Sequence, residues 1–337
     1  VIKNAMMQSV PLLNKFSFEE IEKLIADALR LGISNNHGYD YLKDFEARFI
    51  ERARNPVTTG WPKIDKITKG GLGQGELVVV VAPTGAGKSH VLVHLGAQAL
   101  KQGKNVVHFT LELADTAVAQ RYDACLTGVQ LDDLMNQKDA IYETVKDIDG
   151  QLIIKEFPTK SASCVTLKTH LEKIRQTEME IDMIIVDYGD LLKSSTVRKN
   201  SEKRHELESI YEELRGIGQE FGCPIVTASQ TNRKGLNEEV ITMESIAEAF
   251  NKCFVADLII SLSRTIKDRN CNIARIFVAK NRNGPDGIVY SAFMDTSNVA
   301  IKVLERDDVV KLQQQQEAKQ KQKEFSKARE VFRNMKK

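Results

Sequence analysis

Apolar and polar positions alternate along the middle of this chain with two different periods. Continuous apolar runs predict buried strands, and apolar residues spaced three or four positions apart predict amphipathic helices. The predicted strands are Leu77–Ala82, Asn105–Leu111, Leu152–Lys155, Met183–Asp187, Ile225–Ser229, Leu258–Leu262, Ile273–Lys280 and Ile288–Phe293. The predicted helices among them are Ser89–Lys101, Thr116–Leu126, Thr166–Gln176 and Ser201–Phe221.

The order of these elements predicts an α/β fold. The early strands are apolar throughout and are separated by helices, which is typical of a mostly parallel central sheet with helices on both faces. The strands after residue 258 follow one another closely. We therefore expect antiparallel hairpins at the C-terminal end of the sheet.

The pattern also divides the chain into three parts. Residues 1–57 are predicted to be a linker arm, in which Ser17 and Glu20 indicate a capping box before a helix that ends near Gly32. A second helix is predicted over Tyr41–Arg54. The first helix cannot bury its own apolar stripe, so it must pack on the core or on a neighbouring subunit. Residues 58–305 form the α/β domain, and residues 306–337 form a basic tail, helical or disordered.

Composition narrows the class of protein. The chain has 337 residues, of which 42% are hydrophobic and 28% charged, as expected of a soluble protein with a sizeable core. No apolar run approaches the roughly 18 residues of a membrane span, and no signal-peptide pattern is present. The five cysteines lack C-x-x-C spacing, which favours reduced thiols in the cytoplasm and no zinc site. The net charge of +2 neither indicates nor excludes nucleic-acid binding, because the excess of Lys and Arg lies in the tail.

The strand at residues 77–82 runs into a Gly-rich turn and then directly into a helix, the context of a phosphate-binding loop. The loop residues are Ala82, Pro83, Thr84, Gly85, Ala86, Gly87, Lys88 and Ser89. Lys88 would neutralise the β- and γ-phosphates of ATP, and Ser89 would ligate Mg²⁺. Ala82 replaces the usual first glycine, and a small residue still fits there. The alternative is a Gly-rich turn that binds nothing.

Three polar residues end other predicted strands, where ligands of open α/β sheets bind. Asp187 is the expected partner of Mg²⁺, the alternative being a carboxylate that merely caps the strand. Glu112 is placed to polarise an attacking water, although a Glu there also favours the start of the next helix. Gln230 could contact the γ-phosphate. Its position at the end of a strand does not by itself distinguish such a contact from no contact with the nucleotide.

Lys280 and Arg282 stand in the polar segment at residues 280–287, between two predicted strands. Composition predicts a hairpin turn there, and we call it the finger turn. A turn does not require two cations on alternate residues, so they are candidates for phosphate-neutralising fingers. Solvated turn charges are the alternative.

Two polar loops, Lys193–His205 and Arg233–Ser245, could bind the nucleic-acid backbone through lysine and arginine. Their candidate contacts are Arg198, Lys199, Lys203, Arg204, Arg233 and Lys234. No aromatic residue is interleaved, so base stacking is not indicated. A basic loop that is simply solvated is the alternative.

The ordered motifs resemble the RecA-like P-loop motor domain of DnaB-type hexameric replicative helicases, most closely the T-even-type bacteriophage members. The matching segments besides the phosphate loop are residues 44–48, 67–71, 110–113, 185–188, 228–230, 246–249 and 279–284. Ala247 stands where the broader bacterial family has an arginine, as in the phage-type pattern. The resemblance covers about residues 40–295.

The resemblance implies an ATP- and Mg²⁺-dependent DNA helicase, a homohexameric ring that translocates 5′→3′ on single-stranded DNA at the replication fork. It assigns catalysis to Lys88, Glu112 and Gln230, with Lys280 and Arg282 acting on the nucleotide of the adjacent subunit. It also implies primase and a helicase loader as partners, in the cytoplasm of a bacterium or a phage-infected host. Two alternatives stay open: a RecA-like recombinase or recombination mediator that forms filaments on DNA, and a signalling or structural ATPase oligomer.

Overall fold

The computed structural model describes residues 21, 40–43, 45–46, 55–194, 203–231 and 253–305. The chain divides into two compact units, Val1–Ala53 and Arg54–Lys337. In the first unit, residues 41–43 form a turn where the sequence predicts the start of a helix. The turn forms because Asp40 Oδ1 accepts hydrogen bonds from the backbone N–H groups of Leu42 and Lys43. Nearly the whole of the helix predicted after Ser17 lies outside the described residues, and so does the tail at residues 306–337.

The second unit is built on a nine-stranded sheet with the strand order β3-β2-β4-β5-β1-β6-β7-β8-β9. The strands are β1 (Leu77–Ala82), β2 (Val106–Thr110), β3 (Leu152–Glu156), β4 (Met183–Asp187), β5 (Ile225–Gln230), β6 (Leu258–Ser263), β7 (Ile273–Asn281), β8 (Ile288–Asp295) and β9 (Ala300–Val303). In this spatial order, all neighbours among the first six strands, β3-β2-β4-β5-β1-β6, are parallel. The remaining neighbours, β6-β7, β7-β8 and β8-β9, are antiparallel.

Helices cover both faces of this sheet. They are α1 (Pro62–Ile67), α2 (Lys88–Lys101), α3 (Asp115–Thr127), α4 (Lys138–Val145), α5 (Cys164–Arg175), α6 (Lys203–Phe221) and α7 (Ile266–Asn270), with 3₁₀ turns at Leu131–Gln137 and Gly189–Leu191. The parallel sheet and the C-terminal hairpins confirm the predicted α/β class. The sequence missed β9, α1, α4 and α7, which have between four and eight residues each.

The core lies on both faces of the central strand. In β1, Val78 and Val80 pack into the cluster that includes α2 and α3, whereas Val79 and Val81 pack into the cluster that includes α5 and α6. Successive side chains of a strand point to opposite faces, so an uninterrupted apolar run fills both. All five cysteines are free. No helix in the described part of the chain is long and apolar enough to cross a membrane.

Close packing fixes α3 against α2 and the sheet. Tyr122 of α3 is buried, and its Oη lies 3.0 Å from Nδ1 of the buried His108 on β2. Burial lowers the pKa of His108 to about 3, so its ring is neutral at physiological pH. The Tyr122 hydroxyl also lies against Gly96 of α2, where an added Cβ would come within 2.1 Å of it and 2.8 Å of Ile185 Cδ1.

We expect Gly96→Ala to destabilise the protein, because the new methyl group must displace Tyr122 or Ile185. Overpacking of a close-packed core costs about 1–3 kcal/mol, more than the roughly 1 kcal/mol that alanine gains over glycine in a helix. The midpoint of urea unfolding should therefore fall. Gly216→Ala in α6 is the matched control, since nothing lies within 4 Å of its added Cβ, and its midpoint should stay or rise. Equal midpoints for the two variants would contradict the packing described.

Candidate functional site

The phosphate-binding loop lies at the carboxyl edge of the sheet, between β1 and α2. Gly87 caps α2 with a φ of +109°, and a Cβ built on it would lie 2.2 Å from Met294 Cε. Only glycine meets both conditions without strain. The first turn of α2, which begins at Lys88, therefore directs its backbone N–H groups and positive dipole end toward the loop, an arrangement suited to phosphate.

Lys88 is nearly buried beneath this loop. Its Nζ donates to the carbonyl oxygens of Ala82 and Pro83, each at 3.4 Å, and lies 5.5 Å from the centre of the Tyr188 ring. These are long, weak hydrogen bonds, so a phosphate can compete for the ammonium group. Tyr188 lies near Lys88 because β4, which precedes Tyr188, and β1, which precedes the loop, are parallel and end at the same edge of the sheet.

Asp187 ends β4 and is 1% exposed. Within the described residues, neither of its oxygens has a well-formed hydrogen bond, although the nearby Ser89 hydroxyl favours the charged form. Burial is the main reason why the pKa of Asp187 rises to about 6, and the charge of Glu112 adds to the rise. A buried carboxylate of this kind needs a cation as its partner.

Mg²⁺ fits this arrangement. It typically takes one or two protein side chains and completes its shell with phosphate oxygens and water. Asp187 and Ser89 supply such a pair, and among the described residues no group of three His, Cys, Asp or Glu could hold a metal by itself. A dedicated all-protein metal cage is thus not found in the part of the chain that the structure describes.

Glu112 lies beside this pair, exposed at the end of β2. Thr110 pairs in register with Asp187, and the N–H of Leu111 donates to the Asp187 carbonyl at 2.8 Å. The Thr110 hydroxyl donates to the Leu113 carbonyl at 2.8 Å and accepts from the Leu113 N–H at 3.2 Å. These bonds fix the turn on which Glu112 stands, next to the candidate metal ligand.

Gln230, the last residue of β5, reaches the phosphate-binding loop directly. It pairs with Ala82, and its Nε2 donates to Thr84 Oγ1 at 2.6 Å. Its backbone N–H donates to Asp190 Oδ2 at 3.1 Å, and its Oε1 accepts a long bond from Tyr188. The structure thus brings Lys88, Ser89, Glu112, Asp187 and Gln230 to one edge of the sheet.

Lys280 and Arg282 lie at the opposite edge. Asn281 between them pairs with Leu258, which pairs with Val78 near the start of β1. The phosphate-binding loop begins at the other end of β1, roughly 13 Å away at about 3.3 Å per residue. The two candidate fingers are therefore separated from the loop of their own chain by most of the length of β1.

Local contacts hold the finger turn. Lys280 Nζ donates to the Phe254 carbonyl at 2.6 Å and lies 4.8 Å from the centre of the exposed Phe254 ring. The Asn281 side chain donates to the Ile67 carbonyl at 2.8 Å, and a Cβ at Gly284 would lie 2.2 Å from that same oxygen. The turn thus packs on the end of α1, through a glycine that allows the backbones to approach closely.

Two arginines near the loop were missed by the sequence reasoning. Arg121 of α3 is half-buried, and its charge favours the ionised form of Asp187. Arg269 of α7 has Nη1 3.7 Å from the place of a Cβ on Gly85. No local signal indicates Arg269, because its position depends on β6 lying beside β1.

The candidate DNA contacts fall largely outside the part of the chain that the structure describes. Arg198, Lys199, Arg233 and Lys234 lie outside the described residues. Lys203 and Arg204 are in the first turn of α6, but their side chains also lie outside the described part.

Comparison with known proteins gives a consistent family. The model of the DnaB-like helicase C terminal domain matches residues 56–300. The DnaB-like replicative helicase of Enterobacteria phage T4 is 31% identical over 258 residues, which cover 73% of this chain and 54% of that relative. The replicative DNA helicase DnaB of Mycoplasma genitalium is 25% identical over 287 residues, which cover 77% of this chain and 60% of that relative.

A solved DnaB-like replicative helicase, described with its interactions with primase, has a similar fold. Its TM-score is 0.69 over 90% of this chain and 76% of that chain, at 14% identity. This likeness concerns the fold alone and agrees with the expected RecA-like class. The chain spans 54% and 60% of the lengths of the two relatives above. Because the family model matches most of its length, the chain belongs to the DnaB-like helicase C-terminal domain family.

Proposed function

We propose that this chain is the ATP-hydrolysing motor of a replicative DNA helicase, a homohexameric ring that moves 5′→3′ on single-stranded DNA. The observation that carries the proposal is the separation of two half-sites on opposite edges of one sheet. Glu112, Asp187 and the phosphate-binding loop lie at one edge, and Arg282 lies at the other. A chain whose finger cannot reach its own loop needs a second copy to complete the site.

Each residue has a distinct part in this proposal. Lys88 would neutralise phosphate charge, and Ser89 with Asp187 would hold Mg²⁺, which would supply positive charge to the phosphates. Glu112 orients and polarises the attacking water. Gln230 contacts the γ-phosphate from β5, and its bond to Thr84 supports this because it ties the amide to the loop.

Arg282, with Lys280, approaches the phosphates of the adjacent subunit. Gln230 ends β5 immediately before the second candidate DNA loop, so loss of the γ-phosphate would be transmitted to Arg233 and Lys234. The first loop would contribute Arg198, Lys199, Lys203 and Arg204 to the same DNA backbone. These contacts remain proposals that rest on the family resemblance and on charge.

The wider assignments are also part of the proposal. Residues 1–57 serve as a linker arm that packs on a neighbouring subunit, residues 58–305 as the motor, and residues 306–337 as a basic tail. Primase is a proposed partner, which is supported by the solved relative described with primase. A helicase loader is a second proposed partner. The proposed location is the cytoplasm of a bacterium or a phage-infected host. A recombinase filament and a non-motor ATPase oligomer are the alternatives that experiments must separate.

Strand displacement on forked DNA tests the proposed function. We expect ATP-dependent unwinding only when the fork offers a 5′ single-stranded tail, and ATPase activity that rises with single-stranded DNA and falls steeply with salt. Electron micrographs should show closed rings. Filaments on DNA without unwinding would support the recombinase, and DNA-independent ATPase activity would support the oligomeric alternative.

Mixed rings test whether the site is shared between subunits. Glu112→Gln should retain ATP binding and lower turnover about 10²–10⁴-fold, because it removes the base. Arg282→Ala should lower turnover by about 10³-fold or more. When the two variants are mixed, a Glu112-intact subunit can receive Arg282 from its neighbour, so ATPase activity should partly return. Absence of recovery in rings shown to contain both variants would contradict a shared site.

A further inference from the structure

Asp257 is a buried carboxylate that the mechanism above does not use. It immediately precedes β6 at the edge that carries the finger turn, and its side chain is 7% exposed. Its Oδ2 accepts a hydrogen bond at 3.0 Å from the N–H of Leu77, the first residue of β1. The Asp257 backbone N–H also donates to the Leu77 carbonyl, at 2.9 Å. Asp257 is thus bound to the strand whose other end carries the phosphate-binding loop.

Two guanidinium groups meet this carboxylate. Arg215 of α6 donates through Nε to Oδ2 at 3.0 Å and through Nη2 to Oδ1 at 3.1 Å, a bidentate pair. Arg282 of the finger turn places Nη1 3.1 Å from Oδ1, and its backbone N–H donates to the Asp257 carbonyl at 2.9 Å. Asp257 therefore holds the candidate finger by both its main chain and its side chain.

The balance of charge in this cluster leaves the finger cationic. One carboxylate faces two guanidinium groups, so Arg215 compensates Asp257 while Arg282 keeps its positive charge. A guanidinium has five N–H donors and can hold a carboxylate on one side and a phosphate on another. The Arg282 side chain is 45% exposed, against 29% for Arg215, so Arg282 is the member of the cluster that an outside anion can reach.

We propose that Asp257, with Arg215 as its counter-ion, is the positioning residue that aims Arg282 at the nucleotide of the adjacent subunit. This inference rests on the shared site proposed above. The same carboxylate joins β1, α6 and the finger turn. Asp257 thereby ties the strand that carries one subunit's phosphate-binding loop to the finger that this subunit offers to its neighbour.

The first test compares steady-state ATPase kinetics of full-chain rings. In Asp257→Asn the amide oxygen still accepts from Leu77, but the charge that aligns Arg282 is lost. We expect kcat to fall about 10- to 100-fold, the effect of a misplacement of about 1 Å, with KM for ATP unchanged. Arg215→Gln, at a partly exposed position, should also lower kcat. Asp139→Asn, an exposed change of the same chemical kind on α4, is the control and should match the wild type.

The second test uses mixed rings to separate positioning from folding. Asp257→Asn keeps its own loop and Glu112, so mixing it with Glu112→Gln should restore part of the ATPase activity. Mixing it with Arg282→Ala should restore none, because both lack a working finger. A defect of the fold would not be relieved by Glu112→Gln subunits, and that result would overturn the proposal.

Other outcomes are equally decisive. Wild-type kcat in both Asp257→Asn and Arg215→Gln, while Arg282→Ala is inactive, would overturn the positioning role and leave the shared site standing. An Asp257→Asn ring that turns over faster than the wild type would mean that the carboxylate restrains the finger, which also overturns the proposal. A fully active Arg282→Ala ring would instead overturn the shared site itself, and the positioning role with it.

Discussion

The pairing of β1 with β5 on one side and β6 on the other is the constraint on which the rest of the structure depends. Because all three strands are parallel, their carboxyl ends meet at one edge, where Ala82 pairs with Gln230 and Val81 pairs with Ser261. Strand β7 then runs back along β6, so the turn after it must lie at the other edge. Hydrogen-bond geometry alone thus separates the phosphate-binding loop from the finger turn.

The two edges differ in how their buried carboxylates are partnered. At the carboxyl edge, neither oxygen of the buried Asp187 has a well-formed hydrogen bond among the described residues, a state that a divalent cation would relieve. At the opposite edge, Asp257 is fully engaged by Leu77, Arg215 and Arg282. The arrangement at Asp187 is suited to a ligand that binds and dissociates. The arrangement at Asp257 is suited to holding a side chain in one orientation.

The sequence predicted most of the elements and most of the residues that meet at the edge of the sheet where the phosphate-binding loop begins. Each predicted strand of the α/β unit is present within a few residues, because a run that is apolar at every position has few alternatives to a buried strand. Glu112, Asp187 and Gln230 are candidates from sequence because each ends or follows such a run. Arg121 and Arg269 were missed because an arginine on a helix is usually solvated, and only the packing of α3 and α7 brings these two near the loop.

What the sequence by itself determined is therefore local: the strand, the Gly-rich turn and the helix that together make the phosphate-binding loop are contiguous, and their chemistry follows from residue type. What only the tertiary structure decided is which strands are neighbours. Asp257 is separated by 180 residues from Leu77 and by 42 from Arg215, and no periodicity along the chain encodes those contacts. Hydrophobic patterning specifies which face of an element is buried, but the choice of neighbour is made by the packing of the whole sheet.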